Sequence, residues 1–593
     1  MTAYNAPIRD MLFAMKEIGG LPTISALPGN EEVGDDLVGA ILEEAGKFAG
    51  NVLAPLNQTA DRQGCRCVDG VVTTPDGIKE AYIAFRENGW NAMPADAEYG
   101  GQGLPALVST PVLEMWKASN MAFSLCQMLT MGAVSAIAHH GNQEQKATYL
   151  PKMVEGAWTG TMNLTEPQAG SDLAAVRTRA VPEGDHYRVT GTKIFITWGE
   201  NDVAENIIHL VLARLPDAPP GVKGISLFIV PKFLVNADGS LGARNDLVCS
   251  SIEHKLGIHG SPTAVMSFGD SGGAIGYLMG EPNRGLEYMF TMMNHARLNV
   301  GLEGVAISER AYQQARDYAR ERVQGRPIGA EAGTPIIGHP DVRRMLLDMK
   351  ARIDAMRALA YYTAGRMDIA HGHPDERARK EAQALVDLLT PIVKAWCTEN
   401  SIQIASLGVQ VHGGVGFVEE TGAAQHYRDA RITTIYEGTT AIQANDLVGR
   451  KIARDGGAAA AALIALMRAS IAEWKGEDEM LLVAQRAEAA VGVLERAVQW
   501  ILDRHGETPA LTAAGAVPFL HLAGIVAGGW LIGKQAAIAA RELKGGAADP
   551  EFLRSKIALA RHYALQVSPH ADGYLVAMMD GADNVVEFNP AWF

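Results

Sequence analysis

The chain opens on a helical pattern of apolar and polar positions. Apolar residues recur every three or four positions, which predicts amphipathic helices. The first such face consists of Leu37, Ile41, Ala45 and Phe48. The pattern continues to about Val154 and is interrupted by the glycine-rich segment PADAEYGGQGLP. That segment lacks the Lys–Ser/Thr ending of a phosphate-binding P-loop, so we interpret it as a turn.

Between about Gly156 and Asp270 the pattern changes. The runs HYRVTG, NIIHLVLA and KGISLFIVP are short, rich in β-branched residues and bounded by Gly and Pro. They predict a β domain inserted between helical ones.

Helical spacing returns after Gly285. Two long apolar stripes consist of Met345, Met349, Ile353, Met356 and Ala360, and of Leu385, Leu389, Ile392 and Trp396. Beyond about Arg454 an alanine-rich run, GGAAAAALIALM, begins a further helical block that continues to the end.

Together these patterns predict an α+β fold that is mostly α. Its predicted parts are an N-terminal helical domain (1–155), a middle β domain (156–280), a helical bundle (281–454) and a helical extension (455–593). Strands do not alternate with helices, and no GxGxxG motif follows a strand. A doubly wound dinucleotide-binding fold is therefore excluded.

Composition narrows the classes of partner. The 593 residues carry a net charge of −15, which argues against a nucleic-acid or anionic-membrane surface. The five cysteines are scattered without a CxxC pair, as is typical of a reducing compartment without disulfides or zinc. The first residues, MTAYNAPIRDMLFAMKEIGG, lack the apolar core of a signal peptide. We therefore expect a cytoplasmic protein.

One stretch, Ala513–Gly533, is nearly uncharged and about long enough to span a bilayer. It contains Pro518 and His521, and Ala and Gly supply much of its apolar character. Charged amphipathic helices flank it on both sides, so we expect a buried helix rather than a membrane span.

Two segments at the β domain carry groups that suit a flavin ring. In MNLTEPQAGSD, Thr165, Gly170 and Ser171 offer hydroxyls and exposed backbone N–H groups. The alternative is an ordinary loop capped by Asp172. In GTKIFITWG, residues 191–199, an aromatic side chain could cover a ring face and a threonine could donate to a ring nitrogen. The alternative there is a plain β-strand.

Two arginine-bearing segments flank one helical run, Asn294–Arg297 (NHAR) and Arg322–Arg326 (RVQGR). Arginine binds phosphate through two parallel hydrogen bonds, so both segments are candidates for contacting a phosphate-bearing ligand. The alternative is solvated helix charge, which Arg297 fits less well because its neighbours are apolar.

Glu437 is the candidate catalytic base. It lies in the segment ITTIYEGTT, whose apolar and hydroxyl-bearing residues disfavour a charged carboxylate and so make it a stronger base near neutral pH. Gly438 allows close approach of the backbone. The alternative is a glutamate that caps the helix predicted to begin near Thr440.

In this order and spacing, TEP-x-AGSD, K-x-[FW]-IT and IYEGT resemble the acyl-CoA dehydrogenase family over about residues 10–450. The resemblance implies N-terminal helices, a middle β-barrel-like domain and a C-terminal four-helix bundle. It also implies FAD as cofactor, an acyl-CoA substrate, electron-transferring flavoprotein as electron acceptor, and at least a homodimer.

The same resemblance assigns roles to individual residues, with Glu437 as the base. Contacts to the flavin would come from Met162, Leu164, Thr165, Gly170, Ser171, Phe195, Ile196 and Thr197, the last close to N5. The FAD of a neighbouring subunit would be reached by Arg322 and Gln324, the adenine portion by Gln410 and Gly414, and the pyrophosphate region by Thr439. The substrate would be contacted by Ser171, Asn294, Arg297 and Gly438.

The sequence departs from the family pattern at a few positions. Gly325 stands where the family often has an aromatic residue, and Ala441 stands where many members have Gln. The insertion AEAGTPIIGHP leaves His339 without an assigned role. These departures affect the expected cofactor contacts and leave the base in place.

The resemblance implies that Glu437 removes the α-proton of the thioester while a hydride passes from the β-carbon to flavin N5. The enolate oxygen would be held by the backbone N–H of Glu437 and by a ribityl hydroxyl of the flavin. The extended length and the opening YNAPIRDMLF resemble the branch that acts on 3-(methylthio)propanoyl-CoA, an intermediate of dimethylsulfoniopropionate breakdown. The alternatives are a dehydrogenase of straight medium- or long-chain acyl-CoAs, an acyl-CoA oxidase that reduces oxygen, and a non-catalytic acyl-CoA-binding scaffold.

Overall fold

The computed structural model describes residues 4–593 and contains two compact units. The first unit consists of the chain up to Gly46, Pro105–Ala118 and Val300–Phe593. The second unit consists of Lys47–Leu104 and Ser119–Asn299. Each unit is thus assembled from segments that are far apart in the sequence.

The helices and strands have the following bounds. The α-helices are α1 Ile8–Ala14, α2 Leu21–Ser25, α3 Asp35–Phe48, α4 Ala54–Gln63, α5 Ile78–Glu87, α6 Ala106–Ser119, α7 Met121–His140, α8 Gln143–Glu155, α9 Gly285–Glu321, α10 Pro340–Gly372, α11 Glu376–His412, α12 Ala423–Thr433, α13 Thr440–Asn445, α14 Ala458–Trp474, α15 Leu481–Arg504, α16 Pro509–Ala514, α17 Ala516–Lys544, α18 Pro550–His562, α19 His570–Met579 and α20 Ala582–Glu587. The strands are β1 Arg66–Val68, β2 Val71–Thr73, β3 Trp158–Asn163, β4 Arg179–Glu183, β5 His186–Thr197, β6 Asn206–Arg214, β7 Ile225–Pro231, β8 Phe233–Val235, β9 Leu241–Arg244, β10 Leu247–Ile252, β11 Thr263–Phe268 and β12 Ala274–Met279.

The second unit is organised around one eight-stranded sheet. Its order is β10-β11-β5-β12-β7-β6-β3, and β4 pairs with β5 and β6 beside this path. Strands β3 and β6 are parallel, whereas β5, β6 and β7 form antiparallel pairs with β11, β7 and β12 respectively. Strands β6 and β7 are buried almost throughout, which explains their continuous apolar runs. The middle β domain predicted from the sequence is present.

In the first unit, the long helices α10 and α11 pack against each other. The predicted stripe of α10 is buried from Met345 to Ala360, and that of α11 is buried from Leu385 to Trp396. Both stripes therefore form core, as their helical spacing predicts.

Helix α3 matches its predicted span and half of its predicted face. Ala45 and Phe48 are buried as predicted, whereas Leu37 is 41% exposed and Ile41 is half-buried. In the first half of the helix, Val38 and Leu42, each one position further along, are fully buried instead. Leu37 and Val38, and likewise Ile41 and Leu42, are adjacent apolar residues, so the choice between them was left to tertiary packing.

The C-terminal extension is part of the core of the first unit. Helix α17 packs against α10, α11, α15 and α18. Gly524 and Gly528 face the Trp396 ring so closely that an added Cβ would lie 2.2 and 2.6 Å from ring atoms. Only glycine fits at these two positions, so the packing surfaces of the extension and the bundle are complementary in shape.

Among residues 4–593, two helices are long and apolar enough to cross a membrane by length and composition, namely Met121–His140 and Ala516–Lys544. A bent pair, Thr440–Ala453 with Ala458–Trp474, passes the same test if taken as one span. In the structure, 89% and 78% of the apolar windows of the two helices are buried. The region around Ala513–Gly533 is therefore a buried helix, as the sequence predicts.

A buried ionic cluster ties the extension to the beginning of the chain. Lys556 donates to Asp10 at 2.5 Å and to Asp354 at 2.8 Å. Lys350 lies 2.8 Å from Asp10 and 2.9 Å from Asp354, so two cations face two carboxylates. The side chains of Lys556 and Asp354 are each only 1% exposed. The pKa of the Asp10 carboxyl is lowered because the two lysines outweigh the effect of burial.

We expect Lys556→Met to destabilise the protein strongly. Removing one partner of a buried ion pair costs about 3–5 kcal/mol, since the remaining charge is left without compensation. Thermal and urea unfolding of the whole chain would measure the loss. Lys380→Met is the matched control, because Lys380 pairs with Glu376 at the surface and such pairs contribute about 0–1 kcal/mol. Equal stability of the two variants would contradict this assignment.

Candidate active site

In the second unit, a buried ion pair joins the two segments predicted to face a flavin. Lys193 Nζ donates to Glu166 Oε1 at 2.8 Å and to the Leu164 carbonyl at 3.0 Å. The backbone N–H of Ile194 donates to the Thr165 carbonyl at 2.9 Å. The TEP motif and the KIFIT motif therefore form one connected structure rather than two independent loops.

Glu166 is held by further hydrogen bonds. It accepts from the Thr178 hydroxyl at 2.6 Å and from the backbone N–H groups of Thr178 at 3.0 Å and Arg177 at 2.7 Å. Burial opposes its ionisation, but Lys193 and these hydrogen bonds outweigh burial and lower the pKa of Glu166 to about 2. Burial lowers the pKa of Lys193 to about 8, and Glu166 partly offsets that effect. Both groups are thus charged near neutral pH.

The backbone is strained next to this pair. Phe195 has φ 59° and Trp198 has φ 55°, a left-handed region that bulky residues seldom occupy. Phe195 is 59% exposed, whereas Ile196 is buried and Thr197 is half-buried. The pairing of β5 with β11 shifts register at this point, and such bulges often redirect side chains beside functional sites. The plain-strand alternative therefore does not describe Phe195, whose ring is exposed rather than packed in the sheet.

The loop after the TEP motif leaves its last residues accessible. Gly170 and Ser171 are exposed, Met162 and Thr165 are half-buried, and Leu164 is buried. Asp172 accepts a hydrogen bond from the backbone N–H of Ala174 at 3.0 Å, so it caps the following turn. The capping alternative is correct for Asp172, and it leaves the Gly170 and Ser171 groups available to a flavin.

The Asn294–Arg297 segment lies in helix α9. Asn294 is exposed, whereas Arg297 is only 7% exposed. The Arg297 guanidinium lies 3.5 Å from Asn294 Oδ1 and 6.0 Å from the centre of the Phe290 ring. Arg297 is therefore not a solvated helix charge.

In the first unit, Glu437 lies in a left-handed turn. Its φ is 55°, and that of Gly438 is 90°. The following helix α13 is capped by Thr439, whose hydroxyl accepts from the backbone N–H of Ile442 at 3.3 Å. The helix-cap role considered for Glu437 is thus filled by Thr439. A non-glycine residue in this conformation costs about 1–3 kcal/mol, and such strain is concentrated at functional sites.

Buried side chains hold this turn. Lys394 Nζ donates to the Gly438 carbonyl at 2.6 Å, and Gln443 Nε2 donates to the Glu437 carbonyl at 3.1 Å. The Tyr436 hydroxyl donates to Glu303 in a short hydrogen bond.

Glu303 in turn faces Lys117, with Nζ and Oε1 3.4 Å apart. Burial raises the pKa of Glu303 and lowers that of Lys117, in each case against the attraction of the other. Sequence reasoning missed Lys394, Glu303 and Lys117. Their signal was present, because each is a charged residue inside an apolar helical stretch.

The segments expected to reach the cofactor's adenine and a neighbouring subunit lie at the surface. Arg322, Gln324, Gln410 and Gly414 are all exposed. The His339 ring lies 3.0 Å from the Gln324 carbonyl, so the insertion supports this loop.

Gly325 has φ 65°, which an aromatic residue at this position would adopt only with strain. The glycine is therefore suited to the left-handed backbone conformation of this loop. Ile328, three residues after Gly325, is 93% exposed, and Phe417, three residues after Gly414, is 87% exposed.

Family models match most of the chain. They are described as acyl-CoA dehydrogenase, N-terminal domain (residues 38–157), middle domain (161–271) and C-terminal domain (283–452), and as acetyl-CoA dehydrogenase C-terminal like (463–589). The last match covers the extension.

Three relatives illustrate the similarity. The 3-methylmercaptopropionyl-CoA dehydrogenase of Ruegeria pomeroyi is 50% identical over 98% of this chain and 99% of its own. A butyryl-CoA dehydrogenase of Syntrophomonas wolfei is 36% identical over 97% of each chain. A crystal structure of a Bacillus anthracis acyl-CoA dehydrogenase complexed with FAD has the same fold, with a TM-score of 0.75, 21% identity and coverage of 96% of this chain and 91% of that one.

The fold and the family models define the class as a flavin-dependent acyl-CoA dehydrogenase. The chain belongs to the acyl-CoA dehydrogenase family, in a form that carries a C-terminal extension. FAD is the cofactor of this family, and the exposed Phe195 ring, Gly170 and Ser171 fit a flavin.

We expect Lys193→Met to reduce FAD retention. The variant leaves Glu166 buried without its cation, which costs about 3–5 kcal/mol and releases the loop that carries Ser171. The ratio of flavin to protein absorbance after gel filtration would measure the loss, with the exposed Lys223→Met as control. Retention equal to that of the control would show that the pair does not organise the flavin loop.

Glu166 also gives this contact a pH dependence. Its folded-state pKa of about 2 lies below its ordinary 4.5, so its stabilisation is complete above pH 4.5 and is lost as the pH falls toward 2.

Proposed function

We propose that the chain oxidises 3-(methylthio)propanoyl-CoA to its 2,3-enoyl-CoA, with Glu437 as the catalytic base. The assignment of the base rests on the left-handed turn at Glu437. Buried side chains hold this turn through the carbonyls of Glu437 and Gly438. The name of the 50% identical relative supports the substrate, because the similarity extends over nearly the whole of both chains.

The mechanism assigns separate tasks to the residues of the chain. Glu437 removes the α-proton of the thioester, and its backbone N–H stabilises the enolate oxygen. One such donor contributes on the order of 3 kcal/mol to the transition state. FAD, when bound, accepts the hydride that leaves the β-carbon. Phe195, Ile196 and Thr197 would hold its ring, with Met162, Leu164, Thr165, Gly170 and Ser171 along its edge.

The remaining contacts concern the CoA and the far end of FAD. Asn294, Arg297, Ser171 and Gly438 would bind the substrate. Gln410, Gly414 and Thr439 would contact the adenine and pyrophosphate portions of FAD, while Arg322 and Gln324 would reach the cofactor of a second copy of this chain. This subunit-crossing contact implies a homodimer.

We further propose a cytoplasmic dimethylsulfoniopropionate-degrading enzyme that passes electrons to electron-transferring flavoprotein. The five cysteines, all free thiols, support a reducing compartment. An acyl-CoA oxidase is the rival acceptor class. Peroxide released when the substrate-reduced protein is mixed with air separates the two, because an oxidase would yield close to one peroxide for each flavin.

Substrate choice is tested with a panel of acyl-CoAs. Pentanoyl-CoA is the matched control, because it differs from 3-(methylthio)propanoyl-CoA only by a methylene in place of sulfur. A higher kcat/KM for the thioether than for the pentanoyl, butyryl and octanoyl esters supports the proposal. Preference for octanoyl-CoA or longer would assign the chain to straight medium- or long-chain substrates instead.

We expect Glu437→Gln to retain FAD and to lose nearly all turnover. The amide keeps the size of the side chain but cannot accept the α-proton, and general-base catalysis typically contributes about 10²–10⁴-fold. Anaerobic bleaching of the flavin by substrate would measure the loss, and the exposed Glu420→Gln is the control. A variant that bleaches at the wild-type rate would show that Glu437 is not the base.

We expect Arg322→Ala to weaken FAD binding and dimer formation together, because one exposed side chain would serve both. Flavin content and the mass from light scattering would be compared with those of Arg377→Ala, whose guanidinium pairs with Glu381 at the surface. Loss of flavin from a variant that stays dimeric would separate the two roles and count against a subunit-crossing contact.

A further inference from the structure

The turn that carries Glu437 is bound from the interior of the first unit on its backbone side. Lys394 Nζ lies 2.6 Å from the Gly438 carbonyl oxygen, and Gln443 Nε2 lies 3.1 Å from the Glu437 carbonyl oxygen. Lys394 and Gln443 are fully buried. The carbonyls of two successive residues are thus fixed by donors that water does not reach.

The residue before Glu437 is held through its side chain. The Tyr436 hydroxyl donates to Glu303, and Lys117 lies 3.4 Å from the same carboxylate. Glu303 and Lys117 come from α9 and α6, two helices distant from the turn in sequence. The position of Tyr436 is therefore set by the core of the first unit rather than by its own loop.

These contacts act on a conformation that the chain would not keep by itself. A glutamate with φ 55° is outside the regions that its Cβ favours, and the glycine that follows adds backbone freedom. A peptide released from its hydrogen bonds would relax toward negative φ and turn the carboxylate to a different direction. Strained residues persist only where their surroundings over-determine them.

Packing alone does not account for the choice of residues. An ammonium and a carboxylate are costly to bury, and apolar side chains of similar size would fill the same space at less cost. Here the buried charges converge on one short segment, Tyr436–Gly438.

We propose that Lys394 and Glu303 are positioning residues, which hold the Tyr436–Gly438 turn from two sides and keep Glu437 in the conformation needed for proton abstraction. Lys394 acts through the Gly438 carbonyl, and Glu303 acts through the Tyr436 hydroxyl. The inference rests on the proposed role of Glu437 as the base. It adds an account of how the Glu437 carboxylate is oriented.

The experiment uses the FAD-loaded full chain and anaerobic single-turnover reduction of its flavin by 3-(methylthio)propanoyl-CoA or, if that ester is not turned over, by butyryl-CoA. Tyr436→Phe removes only the hydroxyl, and Lys394→Met removes the donor to Gly438. Tyr563→Phe is the matched control, because the Tyr563 hydroxyl makes a buried hydrogen bond to the Ile525 carbonyl in the extension.

We expect the rate constant of flavin reduction to fall about 10- to 100-fold in Tyr436→Phe and in Lys394→Met, since a small misplacement of a catalytic group has effects of this size. The substrate concentration that gives half of the maximal rate constant should change less than about threefold, and the α-deuterium isotope effect on flavin reduction should increase. Flavin content and the rate of the Tyr563→Phe control should remain at the wild-type level. A residue that only stabilised the fold would lower flavin content, without slowing flavin reduction in the protein that retains its flavin.

A conservative pair refines the role of Glu303. Glu303→Gln keeps an acceptor for the Tyr436 hydroxyl and should retain most of the rate, whereas Glu303→Leu should behave like Tyr436→Phe. Wild-type reduction rates in Tyr436→Phe overturn the role of Glu303, and the same result in Lys394→Met overturns that of Lys394. If Lys394→Met is insoluble, Lys394→Gln takes its place, because the shorter side chain withdraws the donor from the Gly438 carbonyl, and wild-type reduction rates in that variant overturn the role of Lys394. Full activity of Glu437→Gln would contradict both the proposed base and this inference. If Glu437→Gln is inactive while Tyr436→Phe and Lys394→Met are fully active, only the inference is contradicted.

Discussion

The chemistry proposed for this chain depends on a backbone angle. Glu437 occupies the left-handed region, where a non-glycine residue is disfavoured by about 1–3 kcal/mol. The surrounding structure maintains the angle with hydrogen bonds from buried donors, among them Lys394 and Gln443. The residue proposed to act as the base is therefore also one that the fold must constrain. Phe195 shows the same coincidence of strain and expected ligand contact in the second unit.

Buried charge recurs wherever distant segments must be held in place. Lys193 and Glu166 join two motifs of the second unit, and Lys556 joins the extension to Asp10 and Asp354 in the first. Such pairs add little net stability compared with apolar packing, but breaking one is costly. They therefore penalise wrong arrangements of the segments more than they stabilise the right one. In a family whose site is assembled from separate parts of the chain, that property favours a single geometry.

Sequence patterns predicted the fold class, the β domain, and the buried stripes of α10 and α11. These features depend on local periodicity and on short motifs, which a sequence displays directly. The face of α3 was correct at Ala45 and Phe48 but was assigned one position away at Leu37, because Leu37 and Val38 are both apolar and only the tertiary neighbours select between them. The role of Glu437, inferred from a short motif, stays a prediction. The contacts of Lys394 and Glu303 were missed because their partners lie 44 and 133 residues away along the chain. A pairing over such a separation leaves no local pattern in the sequence.

The contact between Asp10 and Lys556 has a consequence for biosynthesis. The two residues lie 546 positions apart, so the ribosome adds that many residues before the carboxylate meets its ammonium. At about 5–20 residues per second, the first helix waits roughly 30–110 seconds for that partner. During this interval the second unit, whose segments all lie before residue 300, has its complete set of strands, whereas the first unit has only fragments of its core. The apolar faces of the first helices are thus the part of the nascent chain that stays exposed longest, and they are the expected binding site of a chaperone.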